Sequence, residues 1–344
     1  MKLINTVDAV GHVICHDITI IVKDQVKGTA FKKGHIVTKE DIPKLLSIGK
    51  DHLYVWEKNE NLYHEDEAAS ILADACQGEG MSRTEPKEGK IEICAQKEGV
   101  LTIDLQRLFD INLLGEMMIA TLHDYTVVKP GDKLAGTRII PLVIEKEKMR
   151  AVSEIADQKN PLLQIKPFVR KKAGIVTTGN EVYYGRIEDT FTPVIEEKIQ
   201  KFGVEVIGHH TVNDDKIKIA QAIQDLKNQG ADIIFCTGGM SVDPDDCTPG
   251  AIRESGAKII TYGAPVLPGA MFLLGYFQDG TPIAGLPGCV MFSKATIFDL
   301  VLPRMLADIP MSRRDFALMG HGGLCTGCKP CHYPNCKFGR GGLL

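Results

Sequence analysis

Apolar positions from about Lys171 onward recur in blocks that alternate with amphipathic stretches. "AGIVTT" precedes a loop and a helical pattern over Pro193 to Phe202 closed by Gly203. "VEVIGHH" precedes a helical pattern over Lys216 to Asn228 closed by Gly230, and "DIIFCT" precedes a third helix. Strand blocks that are apolar almost throughout, such as Ile233 to Cys236, fit a mostly parallel sheet covered on both faces. After "GAKIITYG", Met271 to Phe277 and Thr281 to Gly285 are joined through "QDG", a hairpin signal, and a helix is predicted over Val290 to Leu306.

The pattern ahead of Lys171 is less regular. Thr38 and Asp41 form a capping-box signal, Ile42, Leu45, Leu46 and Ile48 give helical spacing, and Gly49 is placed to stop that helix before a short strand at His52 to Trp56. Further on, the pattern predicts a helix over Glu65 to Gln77, strands over Ile91 to Ala95 and Val100 to Asp104, and a helical stretch through Leu105 to Leu122. The expected fold class is α/β: a three-layer α/β/α domain at 169–310, preceded by an α+β region at 1–168 and followed by a Cys-rich tail at 311–344.

The 344 residues are 44% hydrophobic and 24% charged, ordinary globular material with room for two or three domains. A formal net charge of -4 argues against a nucleic-acid partner, because phosphate binding needs an excess of Lys and Arg. The first apolar stretch is interrupted by Asp8, His12, His16 and Asp17, so it resembles neither a signal peptide nor a membrane span, and a cytoplasmic location is expected.

Chemistry concentrates in "DIIFCTGGMSVDPDDCTPG", Asp232 to Gly250. Ligands of parallel sheets bind beyond the carboxyl ends of the strands, which is where Thr237, Gly238 and Gly239 fall. The following helix is expected to begin with Thr248 as N-cap and Pro249 at its first position, turning free N–H groups toward the same crevice. Asp243, Asp245 and Asp246 lie between, with no Lys or Arg among them. Carboxylates alone repel a phosphate, but they hold Mg²⁺, which bridges to phosphate oxygens. A second strand end supplies Thr177, Thr178, Gly179, Glu181 and Asp189. Asp is also a common helix cap, so for Asp189 the residues leave site and cap open.

At these residues the chain resembles the molybdopterin-binding domain family, which includes molybdopterin molybdotransferases, molybdopterin adenylyltransferases and the nucleotide pyrophosphatase domain of competence-damage-inducible proteins. The match rests on "TTGNEVYYGRIEDT" (177–190), "TGGMSVDPDD" (237–246), "LPGAM" (267–271) and "GLPGCV" (285–290). A looser likeness to molybdotransferases covers residues 1 to about 150. The resemblance implies a catalytic acid at Asp246 with further acids at Glu181 and Asp189, and Mg²⁺ held by Asp246 and Asp189. It implies that Gly238, Gly239 and Ser241 offer donors to the pterin phosphate or adenylyl group, with Gly285, Gly288 and the following helix on the other side. Thr178, Gly179, Asp245, Gly269, Pro287 and Cys289 belong to the same ligand-binding loops.

The implied ligand is molybdopterin or adenylylated molybdopterin, and the implied reaction is adenylylation or molybdate insertion. A carrier or redox sensor serving a molybdoenzyme client is the non-catalytic alternative. A Mg²⁺-dependent ADP-ribose-type pyrophosphatase is a third, favoured by "DPDDCT". The family pattern also implies a homo-oligomer. Four positions depart from that pattern: Leu267 stands in place of a lysine, Cys289 and Val290 in place of Asn-Pro, and Asn180 in place of an acid.

Ten cysteines are present, four of them in the last twenty residues. Cys325, Cys328, Cys331 and Cys336 are spaced C-x2-C-x2-C-x4-C, nearer to bacterial iron–sulfur runs than to zinc ribbons. A [4Fe–4S] cluster is the first expectation and Zn²⁺ the second. Cys289 falls at a predicted helix N-terminus, which lowers a thiol pKa, although burial as a small hydrophobe accounts for Cys236, Cys247 and Cys289 more cheaply.

Overall fold

The computed structural model describes residues 2–22, 26–55, 60–156, 160–241, 243 and 246–341, which form two compact units. The first comprises 1–97, 103–122 and 129–164, and the second 98–102, 123–128 and 165–344. Among the described residues no helix is long and apolar enough to cross a membrane.

In the first unit an antiparallel sheet of four strands runs in the order Met81–Arg83, Lys90–Ala95, Lys133–Ile139, Met117–Thr121. The helix Glu65–Cys76 is opened by His64, whose ring accepts from the Asp66 amide while Glu67 accepts from the His64 amide. The stretch expected to be helical through Leu122 divides instead into a helix, Leu105–Leu113, and the strand Met117–Thr121. Gly115 and Glu116 turn the chain at positive φ, and the Asn112 side chain bonds both backbone groups of Ile119, so local polar bonding overrides the apolar period.

The second unit is a mixed α/β fold. Its elements are β1 (Lys172–Thr178), α1 (Thr192–Gln200), β2 (Glu205–Val212), α2 (Lys216–Asn228), β3 (Ile233–Thr237), α3 (Thr248–Glu254), β4 (Lys258–Tyr262), β5 (Leu273–Tyr276), β6 (Pro282–Leu286), α4 (Ile297–Leu306) and α5 (Arg313–Leu318). The sheet order is β2-β1-β3-β6-β5-β4. β1 pairs in parallel with β2 and β3, and β3 in parallel with β6, while β5 is antiparallel to both β6 and β4.

Alternate side chains of β1 and β3 enter two separate cores. Ile175 and Phe235 pack with Ile195 and Ile199 of α1 and Val301, Leu302 and Met305 of α4. Val176, Ile234 and Cys236 pack with Ile219, Ile223 and Leu226 of α2 and Ala251 and Ile252 of α3. Burial on both faces explains the continuously apolar strands, since at roughly 25 cal/mol per Å² neither face tolerates a solvated side chain.

The predicted helix from Val290 is interrupted. Gly288–Met291 forms one 3-10 turn, and α4 begins afresh at Ile297, where Thr296 and Asp299 make a reciprocal capping box. The tail packs onto the rest of the second unit. Phe338 is buried in the core that contains Phe298 and Phe316, Cys325 and Cys336 pack at its edge, and the Tyr333 hydroxyl donates to the Asp299 carbonyl at 2.9 Å. At the head of the tail, the Leu267 amide donates to Gly323 O and the Cys325 amide donates to Leu267 O, each at 2.8 Å.

Candidate functional site

A cavity of about 590 Å³ opens at the carboxyl ends of the parallel strands. That is the size range of small-molecule sites, at the place where an open parallel sheet binds ligands. Thr178, Glu181, Asp189, Gly238, Gly239, Ser241, Asp246, Pro287, Gly288 and Cys289 all line it. Gly179, Gly269 and Gly285 do not appear in its wall, and Asp245 lies outside the described residues.

The three absent glycines have packing roles. A Cβ on Gly285 would meet the Met240 sulfur at 2.6 Å, so Gly285 makes the slot in which Met240 lies buried. A Cβ on Gly269 would meet Ile297 at 2.4 Å, so this glycine lets the loop that carries Ala270 and Met271 into the cavity wall pass close to α4. Gly179 sits beneath the Glu181 carboxylate, 2.9 Å from where its Cβ would be.

Gly238 carries the tightest constraint. Its φ is +79°, and a Cβ there would stand 2.1 Å from the Thr178 carbonyl oxygen. The tips of β1 and β3 are thus held backbone against backbone. A hydrogen bond between the Thr178 and Thr248 hydroxyls, 3.0 Å apart, joins β1 to α3. This bond also accounts for a shift from expectation. Cys247, not Thr248, stands at the N-cap, with no side-chain cap bond, because the wholly buried Thr248 hydroxyl is spent on Thr178. The adjacent Thr237 hydroxyl is 1% exposed, lines the cavity and has no hydrogen-bond partner among the described residues. A buried hydroxyl without a partner costs roughly 1–3 kcal/mol, which a ligand acceptor would recover.

The two acids expected to share a cation differ in kind. Asp189 is internal to the fold: Oδ1 accepts the Phe191 amide at 2.9 Å and the Thr192 amide at 3.1 Å, and Oδ2 accepts the Thr192 hydroxyl at 2.6 Å and the Thr177 hydroxyl at 3.0 Å. Because the Thr177 proton goes to the carboxylate, His209, with Nε2 2.9 Å from the Thr177 oxygen, donates to it. Burial pushes the Asp189 carboxyl up, but these donors outweigh it and hold the group below its usual 3.8. A depressed carboxyl adds stability that is complete above pH 3.8 and is lost as pH falls through the lower folded value. Asp189→Ala should cost about 3 kcal/mol in a denaturant titration, because it strands two buried hydroxyls and two amides.

Asp246 has none of these donors. It is half-buried, its amide donates to Asp243 O at 3.0 Å, and no described Lys, Arg or His lies within ion-pairing distance of Asp243 or Asp246. The Thr248 amide closes the base of this loop onto Gly239 O at 3.3 Å. At Cys289 burial, the larger cause, and the Asp299 charge push the thiol up, as the reading of a buried small side chain expects and against the lowering of a helix N-terminus.

Among the described residues, one set of three or more His, Cys, Asp or Glu ligand atoms lies within 4.8 Å of one another: His64, Glu65 and Asp66, in the first unit. The Lys33 ammonium already stands there, 2.9 Å from Asp66 and 3.0 Å from His64, so the chain supplies its own cation. The four tail cysteines are free thiols, Cys328 and Cys331 exposed, Cys325 and Cys336 half-buried, and they form no such set.

Sequence reasoning placed Thr237 at the ligand end of its strand without assigning its hydroxyl a role, and missed Thr192 and His209. Their roles arise from contacts between strands distant in the chain, although Thr237, next to two glycines at a strand end, carried a legible signal. Asp243 was read with the acidic run at the crevice, and it lines the cavity.

Residues 174–307 match the family model described as a probable molybdopterin binding domain, and residues 3–57 match a domain of unknown function. A CinA-like protein of Desulfosudis oleivorans is 37% identical over 86 residues, 25% of this chain and 21% of that protein. A putative competence-damage inducible protein of Bacillus cereus is 32% identical over 95 residues, 28% of this chain and 23% of that protein. The chain thus spans less than a quarter of the length of these relatives. The solved structure of the molybdopterin biosynthesis enzyme MoaB of Thermus thermophilus covers 41% of this chain and 98% of its own, at 22% identity and a TM-score of 0.33.

Proposed function

We propose that the second unit, whose residues 174–307 belong to the molybdopterin binding domain family, binds a phosphate-bearing pterin, molybdopterin or its adenylylated form, in the cavity at the strand tips. The observation that carries the reading is the buried Thr237 hydroxyl beside Gly238 and Gly239, in a residue of the cavity wall, which has no hydrogen-bond partner among the described residues. In this reading the cavity-lining segment Gly238 to Ser241 receives the phosphate, and the fold is a three-layer α/β/α arrangement that presents it.

Asp246, with Asp243 beside it, is the acid pair for a divalent cation, because both line the cavity and neither is neutralised by a described protein cation. Bound Mg²⁺ would supply charge neutralisation for phosphate oxygens. Asp189 serves a different purpose: it fixes the turn at Phe191 and Thr192 and thereby the wall formed by Thr190 and Phe191. Glu181 lines the same cavity and remains a candidate for proton transfer or ligand contact.

Either handling of adenylylated molybdopterin or carriage of the pterin to a client enzyme fits this site, and a homo-oligomer belongs to the same reading. Supplying Mg²⁺ with molybdopterin and ATP, or with adenylylated molybdopterin and molybdate, separates the two: release of pyrophosphate in the first case or of AMP in the second supports an enzyme, and binding without nucleotide chemistry supports a carrier. The curated relatives of the competence-damage type favour a second reading, a nucleotide pyrophosphatase, tested by release of AMP from ADP-ribose.

The tail's thiols are proposed to take a [4Fe–4S] cluster or Zn²⁺, for which thiolate donors suit either. Anaerobically purified protein should then carry iron with absorption at about 400 nm, or one zinc, and the double change Cys328→Ser, Cys331→Ser should remove it. Anaerobically purified protein free of both iron and zinc would exclude the tail as a metal site.

A further inference from the structure

The loop that carries the acidic residues follows β3, yet a hydrogen bond from the far edge of the sheet holds it. β4 is the terminal strand, separated from β3 by β6 and β5. Its last residue, Tyr262, reaches over the sheet end, with its hydroxyl 3.0 Å from the Met240 carbonyl and 3.2 Å from the Ser241 carbonyl. A phenol has one proton, so the two carbonyls share it in a three-centre bond.

Several features make this contact a defined one. Tyr262 is fixed in register opposite Leu273, and the strand end is closed by the Gly263 amide donating to Phe272 O at 2.8 Å. Met240, whose carbonyl receives the bond, is anchored by its side chain in the slot above Gly285. Burial first, and then the negative charge of Asp246, hold the Tyr262 hydroxyl above its ordinary range, so it stays protonated and donates.

We propose that Tyr262 is a positioning residue that pins Met240 and Ser241 across the sheet end and so sets where Asp246 stands in the cavity. The inference rests on the reading of Asp246 as the cation-holding acid. Tyr262 touches no ligand in this account and acts through the backbone it holds. Because it is 43% exposed, removing its hydroxyl leaves the packed core intact. The contact therefore tunes the site without being needed for the fold.

The test is Tyr262→Phe in the full chain, with two readouts. Amide hydrogen exchange of peptides covering Met240 to Asp246 should accelerate about 10-fold, as expected for loss of one well-placed bond of about 1.4 kcal/mol, while the core strands exchange as before. The Mg²⁺ concentration that half-saturates AMP binding should rise at least about 5-fold, with magnesium-free affinity unchanged. Unchanged loop exchange would overturn the pin irrespective of any ligand. Faster exchange with an unmoved Mg²⁺ midpoint, or an equal loss with and without Mg²⁺, would overturn the positioning role. Failure of wild-type protein to bind AMP or molybdopterin at any Mg²⁺ concentration would instead overturn the reading of the site, and the positioning role with it.

Discussion

Gly238→Ala should lower the stability of the second unit by about 3 kcal/mol or more and abolish ligand binding. Two independent penalties combine at this position. A residue with a side chain at φ +79° stores strain of about 1–3 kcal/mol, and its Cβ would also stand 2.1 Å from the Thr178 carbonyl oxygen, a backbone atom with no rotamer in which to retreat. The strand tips must part, which breaks the Thr178 to Thr248 hydroxyl bond and displaces Thr237. For a unit of this size each kcal/mol moves Tm by about 2–4 °C, so thermal unfolding should fall by roughly 10 °C. Gly230→Ala is the control, since its φ is also positive, at +95°, but nothing lies within 4 Å of the added carbon. It should show the conformational penalty alone. Equal losses in the two variants would mean that the close approach of β1 to β3 contributes nothing.

Asp246→Asn should weaken Mg²⁺-dependent binding of AMP or molybdopterin by about 100-fold, near 3 kcal/mol, and shift unfolding by less than about 0.5 kcal/mol. The expectation follows from what Asp246 lacks. Its carboxylate lines the cavity, meets no described cation and is only half-buried, so removing its charge leaves no protein donor unsatisfied. Asp189→Ala should behave in the opposite manner, with a large loss of stability, because four protein donors end on that carboxylate. Calorimetric binding and denaturant unfolding, applied to both variants, separate an acid that holds a ligand from an acid that holds a turn. Were Asp246→Asn to unfold the protein, or to bind AMP and Mg²⁺ as wild type does, Asp246 would lose its assigned role.

Much of the second unit was legible because its central strands are buried on both faces and two of its helices are closed by Gly203 and Gly230, so the period changed where the structure changed. The acidic loop was legible because strand tips in such sheets are where glycines and acids have little structural reason to gather. Other features were hidden because polar bonds formed at a distance decided them. Thr248 reads as a helix cap until Thr178, seventy residues earlier in the chain, claims its hydroxyl. Asp189 reads equally well as ligand or cap until four donors fill it. The break between Met291 and Ile297 is written in Thr296 and Asp299, but the apolar run of Val290 to Leu306 masks it. No local pattern connects Tyr262 to Met240, since the chain between them crosses a helix and a strand before returning to the sheet end.

In the proposed site Thr237, Gly238 and Gly239 receive a phosphate while Asp246 supplies the charge for a divalent cation beside it. Anaerobic calorimetric titration of the full chain with molybdopterin, with and without Mg²⁺, tests it most directly. One site per chain is expected, with an affinity that depends on Mg²⁺, that dependence lost in Asp246→Asn and the affinity itself reduced in Thr237→Val. Absence of binding, or binding indifferent to Mg²⁺ and to both substitutions, would contradict it.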